Sequence, residues 1–243
     1  MQVVQALTGR PITLALAHAV AAAKGDDPLR AVTVVVPSNT AGLSLRRLLG
    51  SGRLVDQPQL GPMGIANVEF ATPFQLASRL AAAALARTGA RPLTTAVLAA
   101  AVRHVLRENP GRFAPVADHV ATETALVRAY GELTELEPAQ FDRLEAEGND
   151  RTRSLLDFVR AVREHLADGA DHSYHDEYAV LHAAARALDS GSELDTHVVL
   201  AGPFGQGPAT IGFLATLART TSASAVVAQT GDPTVDTDSA TQM

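Results

Sequence analysis

The strongest chemical signal in the sequence is a segment built like a nucleotide-hydrolysis site from which the reactive side chains are missing. An apolar run, His197–Leu200, is followed by a loop rich in Gly and Pro and by a helical pattern over Ala209–Leu217. Such a site needs two adjacent carboxylates at the end of the strand, one for the Mg²⁺ shell and one to orient the attacking water. Ala201 and Gly202 occupy those positions. Neither residue can hold a metal or polarise a water. The segment therefore favours a non-catalytic component of a larger molecular machine over an enzyme.

The first turn that could cradle a phosphate is also incomplete. A working loop has the spacing G-x-x-x-x-G-K-[ST], and the chain has Thr8-Gly9-Arg10-Pro11-Ile12-Thr13 instead. The second glycine is missing and Pro-Ile stands where Gly-Lys is required. Lys24, the only lysine, lies about three helical turns further on and cannot substitute. The alternative is an anion held at this helix N-terminus by backbone dipoles and Arg10.

The other clusters of polar residues do not form a recognisable catalytic or metal centre. His172 and His175 have H-x-x-H spacing, but the preceding Gly169 favours a loop and no third ligand can be identified. We therefore interpret the segment as a polar helix start with Asp176 and Glu177 in the first turn, and we predict no metal. No G-x-S-x-G elbow supports Ser/His/Asp catalysis. The glycines of the Gly202–Gly207 loop lack the G-x-G-x-x-G order of a dinucleotide site.

Composition describes an ordinary globular chain and excludes several classes of function. Hydrophobic residues make up 47% of the 243 residues, and the net charge is −6. This acidic balance gives no global attraction to nucleic acid, so any DNA contact must be a local patch. The absence of cysteine excludes disulfides and thiolate chemistry. We find no secretory signal and no apolar run of ~20 residues, and therefore expect a cytoplasmic protein without a membrane partner.

The elements that must position these residues alternate between strand and helix at both ends of the chain. This alternation predicts an α/β fold with a parallel sheet of about five strands and right-handed crossovers. Between about 91 and 189 the pattern is helical throughout, so we predict an α/β core of residues 1–90 and 190–233, a helical insertion of 91–189 and a flexible tail of 234–243. The predicted strands are Gln2–Leu7, Val32–Val36, Ala66–Phe70, His197–Leu200 and Ala225–Gln229.

Taken in order, these segments resemble the first motor domain of UvrD/RecB-type helicases, a RecA-like P-loop NTPase fold. Val34–Gly42 is similar to the family's second strand and its T-x-T-N-x-A-A loop, which touches single-stranded DNA. Val68–Phe74 is similar to the next strand and its T-x-H/F turn, and the helical insertion lies where the family has its 1B subdomain. Tyr174–Glu177 resembles the family's D-x-x-D/E stretch, which precedes the strand that ends in the two metal-site carboxylates. The closest likeness is to the N-terminal region of AddB-like proteins and of actinobacterial PD-(D/E)XK nucleases.

The resemblance also implies which residues have lost or kept a role. Val198–Ala209 follows the frame of V-V-D-E-x-Q-D-x-x-P-A-Q, and Thr230–Pro233 resembles V-G-D-P, whose glutamine falls on Val235. The vestigial nucleotide site then comprises Gly9, Arg10, Thr13, Ala201, Gly202 and Asp232. The residues expected to contact single-stranded DNA are Ser38, Asn39, Arg46, Arg47 and Thr72. The alternative for Ser38 and Thr72 is that both cap helices while the two arginines are solvated.

The sequence thus predicts a degenerate helicase-type motor lobe in DNA end processing, without ATP turnover and without a cofactor. Its expected partners are single-stranded DNA or DNA ends and a helicase or nuclease, either as a partner subunit or as a downstream domain of a longer chain. The alternative is an α/β protein that does not bind nucleic acid, either an interaction scaffold or a small-molecule enzyme using the Gly202–Gly207 loop. Salt-dependent DNA binding separates these two readings.

Overall fold

A computed structural model describes residues 1–51, 65–136, 138–167, 174–202, 207–232, 234 and 236. The elements alternate as expected from the sequence at both ends of the chain. In chain order they are β1 Gln2–Leu7, α1 Arg10–Lys24, β2 Val32–Val35, α2 Asn39–Gly50, β3 Val68–Ala71, α3 Pro73–Thr88, β4 Arg91–Pro92, α4 Thr95–Glu108, a 3₁₀ helix Gly111–Val116, α5 Val120–Thr134, α6 Pro138–Glu147, α7 Asp150–Ala167, β5 Tyr174–His175, α8 Glu177–Asp189, β6 His197–Gly202, α9 Pro208–Thr220 and β7 Ala223–Gln229.

The predicted α/β fold is confirmed. Five strands form one sheet in the order β1-β7-β6-β2-β3, and every neighbouring pair is parallel. All five predicted strands are members of this sheet, with ends that differ by at most two residues. The central strands are mostly apolar and their middle residues are buried, because parallel sheets are covered by helices on both faces.

The chain divides into two compact units. The first comprises Met1–Ala82 and Leu181–Met243 and contains the five-stranded sheet, whereas the second comprises Ala83–Val180. In the first unit one face of the sheet packs on α1, where Leu16 and Val20 meet Val34, Val199 and Val226. In the second unit α4, α5 and α7 surround a separate apolar core. Each unit therefore has its own hydrophobic centre, as independent domains do.

Two features of the second unit are not evident from the sequence. Residues Arg91–Pro92 and Tyr174–His175 form a two-residue parallel pair, and Leu93 N–H extends it by donating to His175 O at 2.8 Å. A pair this short carries no periodicity, so a pattern search cannot detect it. The second feature is the start of helix α6 at Pro138, since proline is also a residue type that ends helices. Proline is favoured at the first helical position because it has no N–H to leave unpaired.

The single lysine has a structural role at the far end of α1. Lys24 is 5% exposed, and its Nζ donates to Pro28 O at 2.7 Å, Arg30 O at 3.0 Å and Ala66 O at 2.7 Å. All three ammonium protons are thus used to fasten the segments that precede β2 and β3. Helix α1 carries Lys24 about 21 Å from the turn after β1, which agrees with the expectation that it cannot serve a phosphate there.

Candidate functional site

The sequence-predicted site residues follow the carboxyl ends of the five strands. Because the sheet is parallel, all these ends lie on one edge, where α/β proteins bind ligands. The strand order divides the edge into two parts. The turns after β1, β7 and β6 are neighbours and contain the vestigial nucleotide residues, and we call this part the β1–β7–β6 end. The turns after β2 and β3 contain Ser38, Asn39 and Thr72, and we call this part the β2–β3 end.

The turn after β1 satisfies its own polar groups. Gly9 has φ 87° and ψ −135°, a conformation that glycine adopts without steric cost. It precedes Arg10 and Pro11 at the start of α1. The Thr13 hydroxyl, in a residue that is 6% exposed, donates to Gly9 O at 3.1 Å. Thr13 therefore bonds back to its own helix, and Arg10, which is exposed, is the one cationic side chain of this turn.

The ends of β6 and β7 bring the other vestigial residues beside this turn. Ala201 and Gly202 pair with Val226 and Val227 in the sheet. The position that a metal-bound carboxylate would need is therefore backbone and a methyl group. Asp232 follows β7, and its Oδ1 accepts from Thr234 N–H at 2.9 Å and from the Thr234 hydroxyl at 2.6 Å. Val235, where the resemblance expects a glutamine, and residues 203–206 of the Gly202–Gly207 loop lie outside the described residues.

A second carboxylate, which the sequence analysis missed, closes the turn after β7. Asp236 accepts from Thr230 N–H at 2.7 Å, from the Thr230 hydroxyl at 3.0 Å and from Gly231 N–H at 2.9 Å. The Thr230 amide lowers the pKa of Asp236 most, and the other two donors lower it further. Consecutive amide N–H groups form an anion-binding nest, and here the chain's own carboxylate fills it. Residues 237–243 of the predicted flexible tail lie outside the described residues.

At the β2–β3 end, both predicted hydroxyls cap helices. Ser38 Oγ accepts from Ala41 N–H at 3.2 Å at the start of α2. Thr72 Oγ1 accepts from Gln75 N–H at 3.3 Å, while Gln75 Oε1 accepts from Thr72 N–H at 2.9 Å, which is a capping box at the start of α3. These contacts are the capping alternative that the sequence left open. Ser38 is exposed and Thr72 is half-buried, and each hydroxyl retains a lone pair for a further donor.

The other predicted DNA contacts form an exposed stripe along α2. Asn39, Leu43, Arg46 and Arg47 follow one another at helical spacing, and all four are exposed. We call these four residues the α2 stripe. Neither arginine has an ion-pair partner among the residues that the structure describes. The stripe extends about 10 Å from the sheet edge at Asn39 to Arg46. The stripe is a basic strip on a chain whose net charge is negative.

An exposed aromatic ring lies at the same carboxyl edge, at the start of the helix that follows β3. Phe74 is the second residue of α3 and is 40% exposed, and it comes directly after Thr72 and Pro73. The sequence analysis quoted it only as part of the T-x-H/F likeness and did not assign it a contact. The available signal was position, because a large apolar residue in the first turn after a parallel strand lies at the sheet edge. Exposed aromatic rings beside cationic groups are the usual platform for stacked bases.

A histidine held between two serines lies at the opposite, amino edge of the sheet. Ser222 Oγ is 3.0 Å from His197 Nδ1, and Ser224 Oγ is 3.2 Å from His197 Nε2. Burial lowers the pKa of His197, and the nearby Arg30 guanidinium lowers it further, which favours the neutral ring. Both ring nitrogens are therefore used to join the start of β6 to the start of β7. No carboxylate among the described residues hydrogen-bonds to the ring, so the triad arrangement is incomplete.

The polar segment before α8 behaves as a helix start. Asp176 Oδ1 accepts from Ala179 N–H at 2.8 Å, and Glu177 lies in the first turn, as predicted. Burial raises the pKa of Glu177, and the carboxylates of Glu135 and Asp176 raise it further. His172 lies outside the described residues. Among the residues that are described, no group of three or more His, Cys, Asp or Glu side chains could hold a metal ion.

Neither the helices nor the comparisons with known proteins add a further functional site. In the described part of the chain, none of the helices has both the length and the apolar character needed to span a bilayer. Searches of protein-family models and of curated proteins find no match to this chain. The geometry of the carboxyl edge is therefore the observation that bears on the function of this chain.

Proposed function

We propose that this chain is a catalytically degenerate helicase-type motor lobe that contacts single-stranded DNA in DNA end processing. The observation that carries the proposal is the contrast between the two parts of the carboxyl edge. The α2 stripe offers two arginines without an ion-pair partner among the described residues, and Phe74 offers an exposed ring. The β1–β7–β6 end has no loop lysine and no pair of carboxylates at the end of β6. A surface that binds the backbone of a strand without turning over a nucleotide has this character.

The chemistry of the stripe selects single strands over duplexes. The arginines supply point contacts for phosphates, and Asn39 supplies an amide at the sheet edge. Phe74 supplies a ring face that is useful only for an unstacked base, because bases in a duplex already stack on each other. Arg46 and Asn39 are about 10 Å apart, so the strip can follow a short length of strand. We place this contact in a larger DNA-processing assembly, with a helicase or nuclease subunit or a downstream nuclease domain as partner.

The test is salt-dependent binding of a fluorescent single-stranded oligonucleotide, followed by anisotropy at two salt concentrations. The parent should bind more weakly at the higher salt, because each neutralised phosphate releases counterions. The double variant Asn39→Ala/Arg46→Ala should lose affinity, and the slope of log K against log salt should fall by about 0.7 for the one phosphate contact removed.

The matched control is Arg10→Ala, which removes one exposed arginine from the β1–β7–β6 end of the same edge. It changes the net charge by the same amount and should leave both affinity and salt slope unchanged. Equal losses of affinity in the control and in the double variant would show that binding depends only on the net charge of the chain. A parent without affinity at low salt would reject the proposal and favour the alternative, an α/β interaction scaffold or a small-molecule enzyme.

A further inference from the structure

The two edges of the sheet differ in how they are protected against pairing with another strand. Strand β3, at one edge, has only four residues and carries Glu69, whose carboxylate is 2.5 Å from Arg79 Nη1. Short strands and charged side chains are the usual protection of a sheet edge. Strand β1, at the other edge, has six residues, Gln2–Leu7, with no charge and no proline. No described strand pairs with its outer side.

The backbone groups that β1 leaves unpaired can be assigned residue by residue. Thr8 N–H donates to Gln229 O at 2.9 Å, in register with the pairing of Leu7 and Gln229. In a parallel ladder, successive residues direct their N–H and C=O groups alternately to one neighbour and the other. The even-numbered residues therefore bond to β7. Val3, Gln5 and Leu7 direct their N–H and C=O groups outward, away from the sheet.

The side chains of β1 also leave apolar surface uncovered on both faces of the sheet. Val3 is 47% exposed and Leu7 is 51% exposed, on the face opposite α1. Gln5, between them, accepts a hydrogen bond from Gln229 Nε2 at 3.0 Å. On the other face Val4 and Ala6 line a groove of 580 Å³ along the flank of α1. A strand added to this edge would bury its side chains against both faces.

We infer that the occupant is β1 of a second copy of this chain, added antiparallel with Gln5 on the two-fold axis. In this register Val3 faces Leu7 of the second copy, Val4 faces its Ala6, and Gln5 faces its Gln5. Apolar groups then meet apolar groups and amide meets amide, with no like charges opposed. The outward N–H and C=O groups of Val3, Gln5 and Leu7 form about six hydrogen bonds across the axis, two for each facing pair. The two sheets become one sheet of ten strands.

Helix α1 is compatible with the same two-fold arrangement. It packs on β1 and β7 and also contacts β6 and β2, so it lies over the sheet and not beyond its free edge. Its flank toward β1 carries Pro11, Leu14, Ala15, His18 and Ala22 beside the groove that Val4 and Ala6 line. A two-fold axis beside β1 places the second α1 on the same face of the extended sheet, across this groove from the first.

The test is the mass of the full chain in solution as a function of concentration, measured by sedimentation equilibrium. The parent should approach the mass of two chains as concentration rises. Gln5→Pro should weaken the dimer at least tenfold and keep the fold, because it removes an outward N–H and leaves the bonds to β7 intact. Val3→Lys should have the same effect by placing a charge on the edge. Val120→Lys changes a residue that is 77% exposed in the other unit and should remain dimeric.

Cross-linking reports the register independently. The chain contains no cysteine, so Gln5→Cys introduces a single thiol. Facing residues in a hydrogen-bonded antiparallel pair have Cα atoms about 5.5 Å apart, which is within the range of a disulfide. Oxidation should link two Gln5→Cys chains and should not link Val120→Cys chains. A parent that stays monomeric at every concentration overturns the inference. So does a dimer that survives both Gln5→Pro and Val3→Lys, or one in which Gln5→Cys fails to cross-link.

Discussion

The two parts of the carboxyl edge have the same scaffold and opposite use of their polar groups. At the β1–β7–β6 end three polar side chains near the turns are bonded within the chain: Thr13 to Gly9, Asp232 to Thr234, and Asp236 to Thr230 and Gly231. At the β2–β3 end Asn39, Arg46 and Arg47 project from α2 without an ion-pair partner in the described part of the chain. The first region is closed on itself and the second is open to a ligand.

The two ends differ in the groups that satisfy their backbone amides. The nest after β7 is filled by the Asp236 carboxylate, an anion supplied by the chain. The Thr230 and Gly231 amides therefore have an anionic partner within the chain. At the β2–β3 end the first amides of α2 and α3 are instead satisfied by Ser38 and Thr72.

The largest expected effect is the absence of ATP turnover at the β1–β7–β6 end. Loss of the phosphate-loop lysine and of the paired carboxylates each removes ~10³-fold or more of transition-state stabilisation, so phosphate release should stay at background. The measurement is Mg²⁺-dependent phosphate release by the purified chain, with the heat-denatured chain as control. Steady release that Asp232→Ala abolishes would show that the closed end still works as a catalytic site.

The second effect concerns the exposed ring at the open end. Phe74→Ala should weaken binding of a single-stranded oligonucleotide about tenfold, because base stacking on an aromatic ring is worth ~1–3 kcal/mol. Phe74→Tyr retains the ring and should bind like the parent, which separates stacking from a change of fold. An affinity that is the same for the alanine variant, the tyrosine variant and the parent would remove Phe74 from the interface.

The third effect compares one hydroxyl from each end by thermal unfolding. Ser38→Ala removes the acceptor of the Ala41 N–H and should cost about 1 kcal/mol, whereas Ser38→Asp should retain the cap. Thr13→Val should cost less, because Gly9 O still accepts the Thr13 N–H and the side chain keeps its shape. A larger loss for Thr13→Val than for Ser38→Ala would mean that the closed turn depends on the hydroxyl more than its geometry suggests.

The smallest effect is the pH dependence of the closed turn. The folded state lowers the pKa of Asp236, so the contribution of its carboxylate to stability is present above the unfolded pKa of about 3.8 and is lost as pH falls through the lower folded value. Asp236→Asn should remove this acid dependence and leave the β2–β3 end unaffected. The measurement is the hydrogen-exchange rate of the Thr230 and Gly231 amides as a function of pH. Exchange that is insensitive to acid in the parent would contradict the nest.

Particular elements show how far the sequence could predict this structure. Strand β1 and the five-stranded parallel sheet could be predicted, because apolar runs between Gly and Pro turns are local signals. Asn39, Arg46 and Phe74 could be placed near one edge because parallel strands end on the same side. The Asp236 nest could not be predicted, since it depends on the backbone directions of Thr230 and Gly231. The start of helix α6 at Pro138 could not be predicted, because proline occurs both as a helix breaker and as a first helical residue.

By itself the sequence determined the class of fold and the absence of the reactive groups at Gly9, Ala201 and Gly202, because both depend only on residue type and local spacing. The tertiary structure alone decided that β7 lies between β1 and β6, which brings the three closed turns together. It also decided that Lys24 is buried on three carbonyl groups and that β1 lies at an edge of the described sheet. Strand order and burial depend on contacts between residues far apart in the chain, and residue type and local spacing do not encode those contacts.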